Sequence, residues 1–477
     1  ANFEGDVSAT PAVVEGQVYV PDWSGKLTRF DAATGNVVWS KRVADLAELP
    51  TPGDGGTNDG GVLVDAVVSR MTPIVTNGAV IFGTFRQGFT SPASLAYFVA
   101  VDRDTGALLW KTLVDSHRAA VLTGPPVLDR GRIYLGVSSR EEAMSIDSSY
   151  QCTFRGSVVA LDSTTGAILW KTPMIEDRAY FLADGTTPSG WAGAAIWSGT
   201  PAVDRKRGSL YVTTGNNYGA PPGAPALPDG NHVESIVALD LESGAVKWSS
   251  RMTMGDLWTY GMALANDPNI GPDWDFGAGA NLFPTRIDGR ARDLVGAGQK
   301  SGIYWAVDAD TGAVVWKTEV GPGGHLGGIH WGTAVDEARI YVGVNNETGM
   351  PYTLRGSGPS AGQETNVGAL SALDPACGAI LWQAANPTLT APLNQTSVNA
   401  PPSVVNGVVF NGSMDAAGTM LALDATTGAV LWSFESGGTV YSAPAIADNS
   451  VYWGCGAPAR LGFGTPCKKM YAFDVKP

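Results

Sequence analysis

Asp31-Ala32-Ala33-Thr34-Gly35-Asn36-Val37-Val38-Trp39 is a turn that leads into a strand. An Asp side chain can accept hydrogen bonds from turn backbone just ahead of it, and Gly takes a left-handed conformation with no Cβ penalty. The pair therefore reads as a short hairpin loop, and the apolar run behind it as the strand leaving that loop. The phrase returns from Asp102 to Trp110, Asp162 to Trp170, Asp240 to Trp248, Asp308 to Trp316, Asp374 to Trp382 and Asp424 to Trp432. Thr, Ser or Cys always stands three residues after the Asp, Gly four after it and Trp eight after it. An eighth copy opens at Met470-Tyr471-Ala472-Phe473-Asp474 and breaks off. Successive Asp positions lie 50 to 78 residues apart, and such a period marks a repeat architecture.

Each phrase joins the last two of four short strands. In residues 442–454 two apolar runs flank Asp448-Asn449-Ser450, which is a hairpin; residues 420–424 and 429–435 form the hairpin around the phrase itself. A four-stranded unit cannot cover its own two faces, so its neighbours must. The expected fold is all-β: an eight-bladed β-propeller of four-stranded antiparallel blades, filling residues 1–477 as a single domain. The Trp of each phrase is expected to pack on the adjoining blade. The last repeat has only three strands at the C-terminal end. The opening residues 1–11 match residues 433–444 in type and spacing, apart from one gap. The N-terminal strand is therefore expected to complete the last blade and close the ring.

Composition sets bounds. Hydrophobic residues make up 44% and charged ones 16%, enough for a large packed core, and 61 Gly with 30 Pro suit a chain full of turns. A net charge of −14 without any basic cluster speaks against nucleic acid and anionic membrane surfaces as partners. No apolar run approaches the length of a membrane span. The chain opens inside a strand, so its numbering is expected to start at or beyond a processed terminus. Cys455 and Cys467 flank a Gly/Pro-rich loop and could form a disulfide or remain two buried thiols. Cys152 lies in a loop, and Cys377 replaces Thr in one turn. The cysteines lean towards an oxidising compartment. There is no Cys-x-x-Cys-His for a covalent haem, no metal-ligand spacing among the four His, no Gly-x-Ser-x-Gly and no dinucleotide fingerprint.

Function should lie where the repeat is interrupted. Residues 41–70, 137–155, 172–197, 216–232 and 252–298 exceed what a blade needs. Long loops of a propeller collect at one end of its central channel, so these could converge there. Each also fits a structural role. Arg140-Glu141-Glu142 could be a solvated loop, Asn216-Asn217 a turn, Trp197 core, Trp274 a loop anchor, Asp275 a cap and Lys300 a surface lysine.

The repeats resemble those of quinoprotein alcohol dehydrogenases, which hold pyrroloquinoline quinone (PQQ) and Ca²⁺ in the channel of an eight-bladed propeller. The chain is most similar to the polyvinyl-alcohol dehydrogenase branch. The resemblance is carried by Val137-Ser138-Ser139-Arg140-Glu141-Glu142, Cys152-Thr153-Phe154-Arg155-Gly156, Thr214-Gly215-Asn216-Asn217-Tyr218 and Gly296-Ala297-Gly298-Gln299-Lys300-Ser301-Gly302. It implies Ca²⁺ ligands at Glu141, with Glu142 one step away as the alternative, and at Asn216 and Asp275. It implies Asp275, in Trp274-Asp275, as the base that takes the alcohol proton, and Lys300 as the cation on the quinone oxygens. It places Trp197 under the quinone face, with Thr123, Arg155 and Trp331 among the other cofactor-binding residues. Gly277, where lanthanide-dependent relatives carry a second Asp, favours Ca²⁺.

These residue types suit that chemistry. Ca²⁺ takes hard oxygen ligands and can polarise a carbonyl. Lys300 would stabilise a developing oxyanion, and Asp275 would take a proton as hydride leaves the carbinol carbon. The implied function is a periplasmic or secreted dehydrogenase for secondary or polymeric alcohols. It is expected to be a monomer that passes electrons to a separate soluble c-type cytochrome. The chain lacks the adjacent cysteine pair that covers the quinone in many relatives: Gln151 precedes Cys152. The competing reading is a non-catalytic scaffold of the outer-membrane protein assembly type, which shares the repeats and lacks the polar channel residues.

Overall fold

The computed structural model describes residues 1–49, 67–86, 96–197, 199–221, 223, 227–386, 400–457 and 464–474. Eight small antiparallel sheets follow one another along the chain. The first pairs Ala12–Val14, Gln17–Pro21, Lys26–Asp31 and Val37–Arg42 in simple up-and-down order, and the pattern repeats through the seventh, Ser403–Val405 to Val430–Glu435. The first strands of neighbouring blades touch around the ring, and those of the last blade meet those of the first. The fold is an eight-bladed β-propeller.

The Asp-x-x-Thr-Gly phrase does what its chemistry predicts. Asp162 Oδ1 accepts from Thr165 N (2.8 Å) and Thr165 Oγ1 (2.9 Å), while Gly166 sits at φ 71°. The same bonds recur at Asp31, Asp102, Asp240, Asp308 and Asp424. Gly is required there for a second reason. A Cβ on Gly428 would stand 2.5 Å from the indole of Trp382 on the preceding blade, and Gly166, Gly244, Gly312 and Gly378 meet Trp110, Trp170, Trp248 and Trp316 in the same way. Several of these indoles also donate to the carbonyl that follows the next blade's Asp: Trp382 Nε1 to Ala425 O (3.0 Å), Trp316 to Pro375 O (3.1 Å) and Trp170 to Leu241 O (3.2 Å). A hydroxyl two residues after the Trp adds a further clasp, as in Thr172 to Gly244 O and Thr318 to Gly378 O. Turn and Trp thus form one inter-blade joint, and the cores lie between blades: Tyr134, Val158 and Trp170 of the third pack on Leu210, Val237 and Leu239 of the fourth.

The carboxyls of Asp31, Asp102, Asp162, Asp240 and Asp424 are held below their usual range, chiefly by side-chain and backbone donors from the Thr or Ser three residues on. Each binds its proton less readily folded than unfolded. They therefore stabilise the fold above roughly pH 4, and that contribution is lost as the pH falls below it. The urea midpoint is expected to drop between pH 5 and pH 3, and Asp162→Asn, which cannot titrate, should make the drop smaller.

The ring closes as a short clasp. The last sheet has three strands, Ala445–Ala447, Ser450–Cys455 and Lys469–Asp474. Residues 1–3 supply the fourth edge through an antiparallel bridge of Asn2 to Lys469, with Phe3 N on Lys468 O (2.9 Å) and Met470 N on Ala1 O (3.0 Å). Cys455 and Cys467 are joined by a disulfide at this seam. Cys455 O accepts from Val7 N and Cys467 N donates to Asp6 Oδ1, so both cysteines also grip the N-terminal segment. Cys152 and Cys377 are free. No helix among the described residues is long and apolar enough to cross a membrane.

Candidate active site

Four of the five interruptions send side chains into one cavity of about 150 Å³ at the channel end, although most of residues 41–70 lie outside the described part. Its lining includes Arg70, Glu142, Trp197 and the group Trp258, Tyr260, Asp273, Asp275 and Gly277. Residues 216–232 join through Asn216, whose N donates to Asp275 Oδ1 at 2.6 Å. The approach is close because Gly215 has no side chain: a Cβ there would lie 2.5 Å from Asp275 Oδ1 and 2.9 Å from Trp197 Nε1.

Asp275 is fully buried. Lys300 follows the strand Arg290–Gly298, and its N donates to Asp275 O. Its Nζ lies 2.9 Å from Asp275 Oδ2 and 3.1 Å from Asp273 Oδ1. Asp273 takes a left-handed backbone (φ 60°), which Asp tolerates better than most residues. Asp256 holds the segment in place by accepting from Asp273 N (3.0 Å) and Trp274 N (2.5 Å). Burial pushes the carboxyls of Asp273 and Glu142 up, and neighbouring carboxylates push Glu142 further; the facing carboxylates hold the Lys300 ammonium above its usual range against the cost of its burial. Glu142, Asp273 and Asp275 each offer an oxygen within 4.8 Å of the others. Two buried acceptors here have no hydrogen-bond partner, Glu142 Oε1 and Asn216 Oδ1. Two buried indole donors, Trp197 Nε1 and Trp331 Nε1, are likewise unpaired.

Asp275, Lys300, Trp197, Thr123 and Trp331 all line this cavity, and Asn216 stands directly behind Asp275. Thr123 Oγ1 donates to Trp197 O at 2.7 Å and fixes that residue's backbone. Two residues are placed elsewhere. Glu141 is turned into the following loop, where its oxygens accept from Thr153 N (2.8 Å), Phe154 N (2.9 Å) and Tyr150 Oη (2.9 Å). It is Glu142 that reaches the acid cluster. Arg155 is drawn outward: its Nη1 meets Asp177 at 2.6 Å and its guanidinium covers the Tyr180 ring at 4.2 Å. Sequence reasoning missed Asp273, Arg70 and His330. Asp273 sits two residues before the expected base, which was the available signal. Arg70 lines the cavity with no carboxylate against it among the described residues, and burial holds its guanidinium below its usual range. His330 is half-buried beside Trp331 with its Nδ1 buried and unpaired, and desolvation drives its imidazole well below its usual range.

A propeller whose cavity gathers carboxylates, a buried Lys and several indoles is the kind shared by quinoprotein dehydrogenases. Two family models divide the chain: "Glucose/ethanol/alcohol dehydrogenase, beta-propeller domain" matches residues 116–323, and "Outer membrane protein assembly factor BamB" matches residues 1–150 and 366–455. The chain belongs to the PQQ-dependent dehydrogenase family.

Among curated proteins it is similar to polyvinylalcohol dehydrogenase of Pseudomonas sp., 31% identical over 95% of this chain, and to polyvinylalcohol dehydrogenase of Sphingopyxis sp. (strain 113P3), 33% identical over 91%. It spans 66% and 62% of the length of those two relatives. The crystal structure of quinohemoprotein alcohol dehydrogenase from Comamonas testosteroni shares the fold with a TM-score of 0.66, at 20% identity, covering 94% of this chain and 71% of that one.

Proposed function

We propose that this chain oxidises secondary alcohols, polymeric ones included, as a quinoprotein dehydrogenase that works in the periplasm and hands its electrons to a c-type cytochrome. The observation that carries the reading is the cavity where Asp275 and Lys300 meet beside Trp197, with two buried oxygen acceptors left over. Oxygen acceptors without donors, set among three carboxylates, suit a hard divalent cation such as Ca²⁺. The donors left over on Trp197 and Trp331, with the Arg70 guanidinium, suit a flat anion rich in carbonyl and carboxylate oxygens, which PQQ is. Glu142, Asn216 and Asp275 would hold the cation; Trp197, Thr123, Trp331, Arg70 and Lys300 would hold the quinone. When bound, the quinone supplies the two-electron acceptor and Ca²⁺ the Lewis acid.

The protein's own part is positioning and proton transfer. Asp275 takes the hydroxyl proton of the alcohol. The Lys300 ammonium beside it pairs with the carboxylate at 2.9 Å and offers a donor to oxygen that gains charge. Burial of both excludes water and strengthens that interaction. Asp256, through the backbone of Asp273 and Trp274, keeps Asp275 from swinging away.

The test is to load the protein with PQQ and Ca²⁺ and follow dye reduction with 2-butanol and with poly(vinyl alcohol). Quinone binding and alcohol-dependent turnover are expected. A protein that binds no quinone and reduces no dye would instead be a scaffold, the reading favoured by the BamB model's match to residues 1–150 and 366–455. Glu142→Gln is expected to weaken Ca²⁺-dependent activation about 10- to 100-fold, whereas Glu141→Gln should act through stability; loss of Ca²⁺ affinity in the second variant alone would reverse the ligand assignment.

A further inference from the structure

Asp273 belongs to the acid cluster of the cavity, yet the reaction described above gives it no part. The fold holds it there against three costs. Its backbone is left-handed (φ 60°), a conformation that Gly takes without penalty. Its side chain is almost wholly buried, where a carboxylate needs a counter-charge. It also stands with Glu142 and Asp275, each offering an oxygen within 4.8 Å of the others, so like charges repel. Asp256 pins the segment by accepting from Asp273 N at 3.0 Å, and Gly271 makes room for that carboxylate: a Cβ there would stand 2.4 Å from Asp256 Oδ1. A strained residue that its surroundings over-determine in this way points to function.

Neutralising Lys300 does not account for it. Lys300 Nζ lies 3.1 Å from Asp273 Oδ1, but Asp275 Oδ2 already meets that ammonium at 2.9 Å. Among the described residues Lys300 alone makes ion pairs with the cluster. Three carboxylates against one ammonium leave two negative charges over, the charge of one divalent cation. The open acceptors agree. Both oxygens of Asp275 are engaged, Oδ1 by Asn216 N and Oδ2 by Lys300. Asp273 uses only Oδ1, and its Oδ2 has no hydrogen-bond partner among the described residues. Buried Glu142 Oε1 and Asn216 Oδ1 are likewise open. We propose that Asp273 is a further ligand of the cation: it joins Glu142 and Asn216 through its open oxygen, so that the ion does not depend on Asp275 alone for its second carboxylate. The proposal rests on the reading of this cluster as a cation site and extends its ligand set.

The test follows Ca²⁺ binding itself. Wild type, Asp273→Asn and Asp273→Gly are titrated with calcium chloride by calorimetry, with and without PQQ. Gly suits the left-handed backbone, so that variant should fold as well as the wild type. Both substitutions are expected to raise the Kd for Ca²⁺ about 10- to 100-fold, and the Ca²⁺-dependent rise in melting temperature should shrink with it. Tb³⁺ serves as a luminescent stand-in, excited through Trp197 and Trp258 in the cavity wall. Its lifetimes in light and heavy water count the waters on the ion, and Asp273→Gly should add about one. Variants that bind Ca²⁺ as the wild type does, or that lose affinity with the water count unchanged, would overturn the proposal and leave Asp273 as a partner of Lys300. If the wild type binds no Ca²⁺ with or without PQQ, the reading of the cluster as a cation site has failed and this one with it.

Discussion

Asp275→Asn is expected to lower kcat about a thousandfold in PQQ-loaded protein, within the range that a positioned general base contributes. The substitution keeps shape and burial. Its amide oxygen can still accept from Asn216 N, so the segment after Gly215 should hold its place. Its amide nitrogen, however, would face the Lys300 ammonium, donor against donor, where a carboxylate oxygen now lies 2.9 Å away. Lys300 is then left to Asp273. The proton acceptor is lost and its cation is redirected, while the Trp197 platform is untouched. Quinone content, read from absorbance, should therefore remain near that of the wild type. Full turnover in this variant would mean that another carboxylate of the cluster, Asp273 or Glu142, takes the proton.

The second large effect concerns the frame. Trp382→Ala is expected to destabilise the fold by about 3 to 5 kcal/mol, the usual cost of emptying a buried Trp site. Trp382 is fully buried, its ring covers Gly428 of the next blade, and its indole donates to Ala425 O. Trp432 is the informative contrast. It occupies the same place in the phrase but is 36% exposed. Its ring lies against Phe434, Trp453 and Phe473. Trp432→Ala should cost about 1 kcal/mol, as partly exposed substitutions commonly do. Equal losses in the two variants, measured by urea denaturation, would show that the indole–turn joint is not what holds neighbouring blades.

The ring is legible in the sequence because its determinants are local. Asp, Thr and Gly settle each turn within five residues, and the Trp follows at a constant distance. What escapes is the partner of each side chain across the blade gap. The hydroxyl two residues after the Trp is visible as Trp170-Lys171-Thr172 and Trp316-Lys317-Thr318, but the carbonyls it meets are at Gly244 and Gly378 in the next repeat. The closure at residues 1–3 is legible in kind, but the clasp is a single bridge rather than a full strand.

The site shows the same division. Asn216 and Lys300 stand in strings that carry a resemblance, Trp197 and Asp275 are what that resemblance implies, and the structure brings the four together. Glu141 and Glu142 cannot be separated by reading. They open one short helix, Glu141–Met144, and adjacent helical positions point in directions about 100° apart. One reaches the amides of Thr153 and Phe154, the other the acid cluster. Arg155 is decided by Asp177 and Tyr180, more than twenty residues on, and Arg70 becomes meaningful only once the channel exists.

The central claim is that Glu142, Asn216 and Asp275 hold a cation while Trp197 supports a quinone in the same cavity. A crystal structure of the protein loaded with PQQ and Ca²⁺ tests it most directly. The account predicts an ion with oxygens of Glu142, Asn216 and Asp275 at about 2.3 to 2.6 Å, the ordinary Ca²⁺–oxygen range, and a quinone ring lying on Trp197 with its oxygens facing Lys300. An ion on Glu141, or a quinone bound away from Trp197 and Lys300, would contradict it.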